Sequence, residues 1–211
     1  MAGDGPRVDK VVTSGTFSID GEDFDVDNNI WIFGDDEECV VIDAAHDHEP
    51  IVEGVAGRRV VAIVCTHGHN DHINAAAELA DATGAPILLH PADTMLWETV
   101  YGDRRVDGAL ADGRRLEVAG GELVVLHTPG HSPGGCCLHL PAEGVVFSGD
   151  TLFHGGPGAT GRSFSSYDLI LDSIEQRLLP LPPSTVVLSG HGESTTIGAE
   201  AASLPEWRAK Q

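Results

Sequence analysis

The chain has 211 residues, 41% of them hydrophobic and 21% charged, which predicts one globular domain over residues 1–211 with its core at about 11–204. Its 33 acidic and 12 basic residues give a formal net charge of −21, which disfavours nucleic acids and anionic membranes as partners. No stretch of the sequence approaches the roughly 20 apolar residues of a membrane-spanning helix, and segment 1–10 lacks the apolar core of a signal peptide. We therefore expect a soluble, cytoplasmic protein.

The first half of the chain alternates apolar runs with turn-forming residues. The β-branched run 60–65 is typical of a strand that is covered on both faces. Gly84 is expected to end a helix as its C-cap, because glycine tolerates the left-handed conformation found there. The predicted elements of this half are strands at 11–19, 29–33, 39–42, 60–65 and 86–90, and helices at 73–82 and 92–100.

The second half also alternates strands with helices. In its longest predicted helix, Ile170, Ile174 and Leu178 recur at the spacing of one helical face, and Ser165 or Ser166 can cap the start. Strands followed by alternating strands and helices indicate a layered α/β domain. The predicted elements are strands at 123–126, 136–140, 145–147 and 185–188, and helices at 167–178 and 197–204.

Segment 65–72 places three imidazoles and one carboxylate between a buried strand and a helix. In an extended segment the side chains of His67 and His69 point the same way. Asp71 and His72 then face a second point as the chain turns into the helix. Neighbouring imidazoles that are buried together lose their hydration, which is costly without a cation. The spacing therefore predicts a metal site.

Three further candidates share one placement, the loop that follows a predicted strand. Ligands at the strand ends of a rigid sheet suit a preorganised metal site. Imidazole and carboxylate donors favour Zn, Fe or Mn over softer metals. These candidates are His131, Asp150 and His191.

The order and spacing of these seven residues resemble the metallo-β-lactamase superfamily, from about residue 11 to the helix after residue 197. The resemblance implies an α/β fold, a single-domain four-layer αββα sandwich with its metals at one edge. It also implies two divalent metal ions, with Zn expected and Fe or Mn as alternatives. By the same resemblance, metal one is held by His67, His69 and His131, metal two by Asp71, His72 and His191, and Asp150 bridges the two.

Segments 148–153 and 190–198 are similar to the glyoxalase II-like (hydroxyacylglutathione hydrolase-like) group of that superfamily. The implied reaction is hydrolysis of a small-thiol thioester by a metal-bridging hydroxide, with Asp71 and Asp150 as catalytic residues. A thiolate leaves readily near neutral pH, so this chemistry needs no strong general acid. We expect no C-terminal helical domain of the kind in full-length glyoxalase II. The acyl group and the thiol carrier, glutathione, mycothiol or another, therefore stay open.

Two alternative activities stay open within the same resemblance. A persulfide dioxygenase would use one iron on His67, His131 and Asp150, and a lactonase would use all seven ligands. Asp71 as a ligand, and the lack of a cysteine near Asp150, differ from the antibiotic-cleaving members and disfavour β-lactam cleavage. The expected partner is a small acyl-thiol substrate, and the sequence leaves open a monomer or a homodimer.

A few residues outside the motif have a functional and a structural interpretation. Asp43 either orients a ligand histidine or begins a turn or helix. His154 and Arg162 lie in a glycine-rich loop, where a cation could meet a substrate carboxylate. Tyr167 either covers the site or starts its helix. His46 and His48 could approach the metals from the Asp43 loop, and they are interpreted as exposed turn residues. The other histidines are interpreted as packing or surface residues: His90, His127 and His139.

Overall fold

A computed structural model describes residues 5–210 of the chain. Its first sheet has six strands in sequence order: β1 (Arg7–Ile19), β2 (Glu22–Gly34), β3 (Glu38–Ile42), β4 (Arg59–Val64), β5 (Ile87–Leu89) and β6 (Gly108–Ala109). β1, β2 and β3 are antiparallel neighbours, whereas β3 to β6 run parallel to one another. The long β1–β2 hairpin pairs Phe17 with Phe24 near its tip.

The second sheet also has six strands, and a small hairpin is inserted between two of them. In chain order these strands are β7 (Arg115–Val118), β8 (Gly121–His127), β9 (Cys136–Leu140), β10 (Val145–Gly149), the hairpin β11 (Leu152–Phe153) and β12 (Gly156–Pro157), β13 (Val186–Ser189) and β14 (Thr195–Thr196). The spatial order of the sheet is β14-β13-β10-β9-β8-β7. β10 and β13 are parallel, and the other neighbours are antiparallel.

Within the described part of the chain, seven α-helices accompany the sheets: α1 (His48–Val55), α2 (Asn70–Ile73), α3 (Ala76–Thr83), α4 (Thr94–Tyr101), α5 (Tyr167–Ser173), α6 (Ile197–Ala201) and α7 (Leu204–Arg208). A 3-10 turn at Pro91–Asp93 precedes α4, and a π-helical turn at Ile174–Leu178 continues α5. None of the helices within residues 5–210 has the length and apolar character needed to cross a bilayer.

The core is divided into three apolar layers by the two sheets. Along β2, Ile30 and Ile32 face an outer layer that α1, α3 and α4 complete. Trp31 and Phe33 point the other way and pack against the inner face of the second sheet. The opposite face of that sheet packs against α5, α6 and α7. This arrangement confirms the predicted four-layer αββα sandwich.

The predicted strands are all present. Five further strands within residues 5–210, β6, β7, β11, β12 and β14, were not predicted, because they have only two to four residues and show no clear alternating pattern. The other differences concern helices. Helix α1 was not predicted, because only Ile51 and Val55 of its eight residues are buried and the apolar pattern is short. The helix predicted over 73–82 is instead α2 and α3, separated by Asn74 and Ala75. Gly84 is the C-cap of α3, with a φ of 72°, as predicted.

Candidate metal centre

Four buried side chains follow the end of β4 and lead into α2. His67, His69, Asp71 and His72 are 2%, 6%, 3% and 0% exposed, so none of them is fully hydrated. His69 has an extended backbone (φ −67°, ψ 147°) at the N-cap, whereas Asp71 and His72 lie within the helix. The change of backbone conformation therefore directs these side chains toward two different points.

The other predicted ligands lie at the carboxyl ends of strands in the second sheet: His131 after β8, Asp150 after β10 and His191 after β13. His131 Nδ1 lies 2.7 Å from the Ala159 carbonyl oxygen, and His191 Nδ1 lies 2.8 Å from the Asp27 carbonyl oxygen. Because a carbonyl can only accept, each Nδ1 donates and carries the proton. The Nε2 lone pair of each ring is then free to bind a cation.

Three imidazoles converge on a first point, which is formed by His67, His69 and His131. His67 Nε2 lies 3.1 Å from His69 Nδ1, and His69 Nδ1 lies 2.9 Å from His131 Nε2. Nitrogens that bind one zinc ion tetrahedrally at about 2.0–2.1 Å are about 3.3 Å apart. These two separations are close to those of a zinc site, and the ligand atoms of all three rings lie within 4.8 Å of one another.

A second point lies between Asp71, His72 and His191. The Nε2 atoms of His72 and His191 are 3.1 Å apart. Asp71 Oδ2 lies 3.3 Å from His191 Nε2 and 3.5 Å from His72 Nε2. One carboxylate oxygen and two imidazole nitrogens thus form a second group with the composition and spacing of a metal site.

Asp150 lies between the two groups. Its Oδ1 is 3.3 Å from His72 Nε2, and its Oδ2 is 3.6 Å from His131 Nε2 and 3.5 Å from His191 Nε2. Asp150 Oδ1 is buried and has no hydrogen-bond partner within residues 5–210. A buried carboxylate oxygen without a partner is costly unless a cation neutralises it. The donor set and this unpartnered oxygen therefore fit a divalent metal ion.

The pKa values of the imidazoles separate the two groups. Burial lowers the pKa of His67 well below its usual range and lowers the pKa of His69 to about 3, and neighbouring imidazoles act in the same direction. Burial also opposes charge on His72 and His191. Nearby carboxylates, led by Asp150, outweigh it and raise the pKa of His72 well above its usual range and that of His191 to about 10. His67 and His69 are thus neutral near pH 7, as metal ligands must be. A metal ion at the second group would have to displace a proton from His72 and from His191, because their raised pKa values favour the charged rings in the absence of a cation.

Asp43 contacts the second group from behind. The carboxylate is 1% exposed, and its Oδ2 lies 3.0 Å from His72 Nδ1. It also accepts hydrogen bonds from the Thr66 amide over 2.7 Å and from the Thr66 hydroxyl over 2.8 Å. The N-cap of α1 is Asp47, so the side chain of Asp43 contacts a predicted ligand rather than capping that helix.

A further contact to the second group comes from β2. Asn28 is fully buried, and its amide donates to Asp71 Oδ2 over 3.2 Å. The Oδ1 of Asn28 lies 2.8 Å from His46 Nε2. His46 is therefore half-buried behind the cluster, and its interpretation as an exposed turn residue was wrong. This contact depends on the β1–β2 hairpin folding over the 43–48 loop, which local sequence patterns do not reveal.

The candidate substrate residues lie outside the ligand cluster. Arg162 Nη1 lies 2.5 Å from the Glu22 carboxylate, and the guanidinium lies over the ring of Phe24. His154 is exposed in the turn between β11 and β12. The hydroxyl of Tyr167 donates to the Trp207 carbonyl oxygen over 3.0 Å, so this side chain packs against the C-terminal helices. The structure thus does not bring these three residues into the cluster.

Two phenylalanines flank the cluster instead. The ring of Phe17, in the β1–β2 hairpin, has its centroid 5.4 Å from that of His69. The ring of Phe153, in the β11–β12 hairpin, stacks on His191 with centroids 6.2 Å apart. Each ligand group therefore borders an apolar ring that comes from a hairpin.

The fold and the cluster together define an αββα protein with a histidine–aspartate cluster, suited to divalent metal binding, at the ends of its strands. The family comparison agrees with this class, because the profile of the Metallo-beta-lactamase superfamily matches residues 24–191. The chain belongs to that superfamily.

Relatives within the superfamily include hydrolases and metal-bound proteins. The chain is 32% identical to hydroxyacylglutathione hydrolase GloC of Haemophilus influenzae, over 82% of this chain and 89% of GloC. The solved di-iron-bound form of TTHA1623 is 36% identical, with a TM-score of 0.75, over 83% of this chain and 93% of that one. The B3 metallo-beta-lactamase BLEG-1 is 30% identical, with a TM-score of 0.77, over 92% of this chain and 99% of that one. The relatives are consistent with the glyoxalase II-like group.

Proposed function

We propose that the chain is a binuclear metal-dependent hydrolase. The observation that carries this proposal is the position of Asp150, whose two carboxylate oxygens reach His72, His131 and His191 and so connect both ligand groups. A residue in this position can bridge two ions about 3.5–4 Å apart. Metal one would be held by His67, His69 and His131, metal two by Asp71, His72 and His191, and Asp150 would be shared.

Zinc is the proposed metal, because four-coordinate sites of imidazole and carboxylate suit it. Iron is the alternative to test, since the TTHA1623 relative was solved in a di-iron-bound form. When bound, two such ions supply an activated water and polarise a carbonyl. The protein's part is to keep the ligand rings in one tautomer, through Asp43, the Asp27 carbonyl and the Ala159 carbonyl.

The proposed substrate is a thioester of a small thiol. GloC, one of the relatives, is named as a hydroxyacylglutathione hydrolase, and such a substrate contains a thioester carbonyl and a thiol that leaves without a strong general acid. Phe17 and Phe153 would border the scissile bond, and they offer apolar surface to the groups on either side of it. The net charge of −21 favours a small molecule over a nucleic acid.

The test is metal content and thioester hydrolysis measured on the same purified sample. We expect close to two metal ions per chain, and we expect hydrolysis of a lactoyl or acetyl thioester to be lost in Asp71→Ala and His191→Ala. An exposed variant such as Asp47→Ala, at the N-cap of α1, is the control and should keep both properties.

Two results would redirect the proposal. A single iron per chain, with oxygen uptake on a persulfide that survives His191→Ala, would identify the dioxygenase alternative. Two metals with cleavage of a lactone but not of thioesters would identify the lactonase alternative. A chromogenic β-lactam belongs in the same assay, because the BLEG-1 relative is a B3 metallo-beta-lactamase.

A further inference from the structure

Asp93 is a buried carboxylate that receives three hydrogen bonds from outside its own helix. Its exposed fraction is 0%. Its Oδ2 accepts from the Gly68 amide over 2.9 Å and from the Ser132 hydroxyl over 2.7 Å. Its Oδ1 accepts from the Gly134 amide over 2.5 Å. The carboxylate therefore joins two loops that are about 65 residues apart in the chain.

These are the loops that carry the first ligand group. Gly68 lies between His67 and His69, and Ser132 follows His131. Asp93 is thus hydrogen-bonded to a direct neighbour of every residue in that group. Within residues 5–210 the side chain of Asp93 makes no hydrogen bond to Asp71, His72 or His191, so its contacts are specific to the first ligand group.

Asp93 makes these contacts instead of capping the helix that follows it. It occupies the N-cap position of α4, where an aspartate usually accepts from the first amides of the helix, but its side chain makes no capping hydrogen bond. Each of the two loops has a glycine at the point where it contacts Asp93, namely Gly68 and Gly134. A Cβ at Gly134 would lie 2.7 Å from Asp93 Cγ, and a Cβ at Gly68 would lie 3.0 Å from Asp93 Cβ. A side chain at either glycine would therefore collide with Asp93, so both loops need glycine to lie this close to it.

We infer that Asp93 is a positioning residue for metal one. By holding both loops it fixes the distance between His131 and the His67–His69 pair, and so sets the geometry of that metal site without contacting the metal or the substrate. The inference rests on the proposed binuclear function. An amide at position 93 keeps the shape of the side chain, but its NH₂ group must face either the Gly68 amide or the Gly134 amide, both of which can only donate. At least one of the three hydrogen bonds is therefore replaced by a repulsive contact, and the connection between the two loops is weakened.

The test follows zinc binding at each ligand group separately, in the full chain labelled with ¹⁵N-histidine. Zinc is added in competition with a chromophoric chelator, and the imidazole signals are recorded at each step. We expect Asp93→Asn to weaken zinc binding by about 10- to 100-fold at the group formed by His67, His69 and His131. The signals of His72 and His191 should titrate as in the wild type.

Two further variants keep this test decisive. Ser132→Ala removes one of the three hydrogen bonds and should weaken the same group several-fold, which decides the matter if Asp93→Asn does not fold. Leu79→Ala, in the fully buried outer core, is a general destabilisation control and should leave both zinc affinities unchanged.

The inference is overturned if both Asp93→Asn and Ser132→Ala bind zinc at the first group within twofold of the wild type. It is also overturned if Asp93→Asn weakens both groups equally, as a purely structural role would. A wild-type chain that binds fewer than two zinc ions contradicts the proposed function instead. The response of His67, His69 and His131 in the two variants still decides the role of Asp93 in that case.

Discussion

The Oδ2 of Asp43 lies 3.0 Å from Nδ1 of His72, with both side chains at most 2% exposed. Since a carboxylate accepts, this contact places the proton of His72 on Nδ1 and directs the Nε2 lone pair toward Asp71, Asp150 and His191. Asp43 thus does for the second ligand group, through one ring, what we infer that Asp93 does for the first group through two loops.

Asp43→Asn is expected to weaken binding of the second metal by about 10- to 100-fold. The asparagine must turn a donor either to His72 or to Thr66, so one of these contacts becomes repulsive. Stepwise zinc affinities measured by chelator competition test this prediction. The control is Asp47→Asn, an exposed change at the N-cap of α1. Equal affinities in wild type and Asp43→Asn would contradict a role for Asp43 in orienting the ring.

Gly190→Ala is expected to disrupt the metal centre while leaving the fold intact. A Cβ at Gly190 would lie 2.4 Å from His72 Cε1 and 2.5 Å from Asp150 Oδ1, so a predicted ligand must move. We expect the loss of at least one zinc per chain and a fall in kcat of about 100-fold, since small displacements of catalytic groups have effects of that size. Metal analysis and steady-state kinetics measure these effects.

Gly5→Ala is the matched control for that change, because a Cβ at Gly5 meets no atom within 4 Å. It should keep two metals and wild-type kinetics. Full metal content and unchanged kcat in Gly190→Ala would show that the loop after β13 adjusts without disturbing Asp150 or His72.

Much of the candidate site could be predicted because its chemistry is local in the sequence. His67, His69, Asp71 and His72 fall within six residues, and the others each follow a recognisable strand. His131, Asp150 and His191 follow strands of the second sheet, whose ends lie close together whatever the loop lengths. The resemblance to the metallo-β-lactamase superfamily joined them to the first four residues before the fold was known. That they bind metal stays a prediction.

The surroundings of the site could not be predicted in the same way. Arg162 was a candidate for binding a substrate carboxylate, yet its partner is Glu22, 140 residues earlier in the chain. Asp93 has the sequence context of an ordinary helix N-cap, and only the packing of two distant loops gives it another role. Phe17 was read as part of a strand, and its contact with His69 depends on how the hairpin bends over the cluster.

Phe153→Ala is expected to raise KM more than it lowers kcat. The ring stacks on His191 and is presented by a hairpin whose Gly155 amide is held by the buried carboxylate of Glu200. Loss of about 1–2 kcal/mol of apolar contact with the substrate corresponds to a KM increase of about 5- to 30-fold. Thioester kinetics on acyl groups of increasing length measure the effect, with Phe164→Ala, which is 60% exposed, for comparison. A loss of metal from Phe153→Ala would instead show that the ring holds His191 in place for the metal.

Removal of metal is expected to lower the melting temperature, and the melting temperature is expected to rise with the concentration of added zinc. Without cations the cluster leaves Asp150 Oδ1 unpartnered and crowds imidazoles together, so binding of metal to the folded state alone stabilises it. Zinc at about 1,000 times its Kd contributes about 4 kcal/mol per site, which for a chain of this size raises Tm by about 8–16 °C. Calorimetry after chelation and after stepwise return of zinc measures the shift.

Two variants test whether the shift comes from this cluster. Asp150→Ala should lose most of the zinc-dependent rise in Tm, because both groups depend on that carboxylate. Arg177→Ala, which removes a surface pair with Asp112, should keep the rise in full. A Tm that does not respond to zinc in the wild type would contradict a metal centre in this cluster, since any ligand that binds only the folded state must stabilise it.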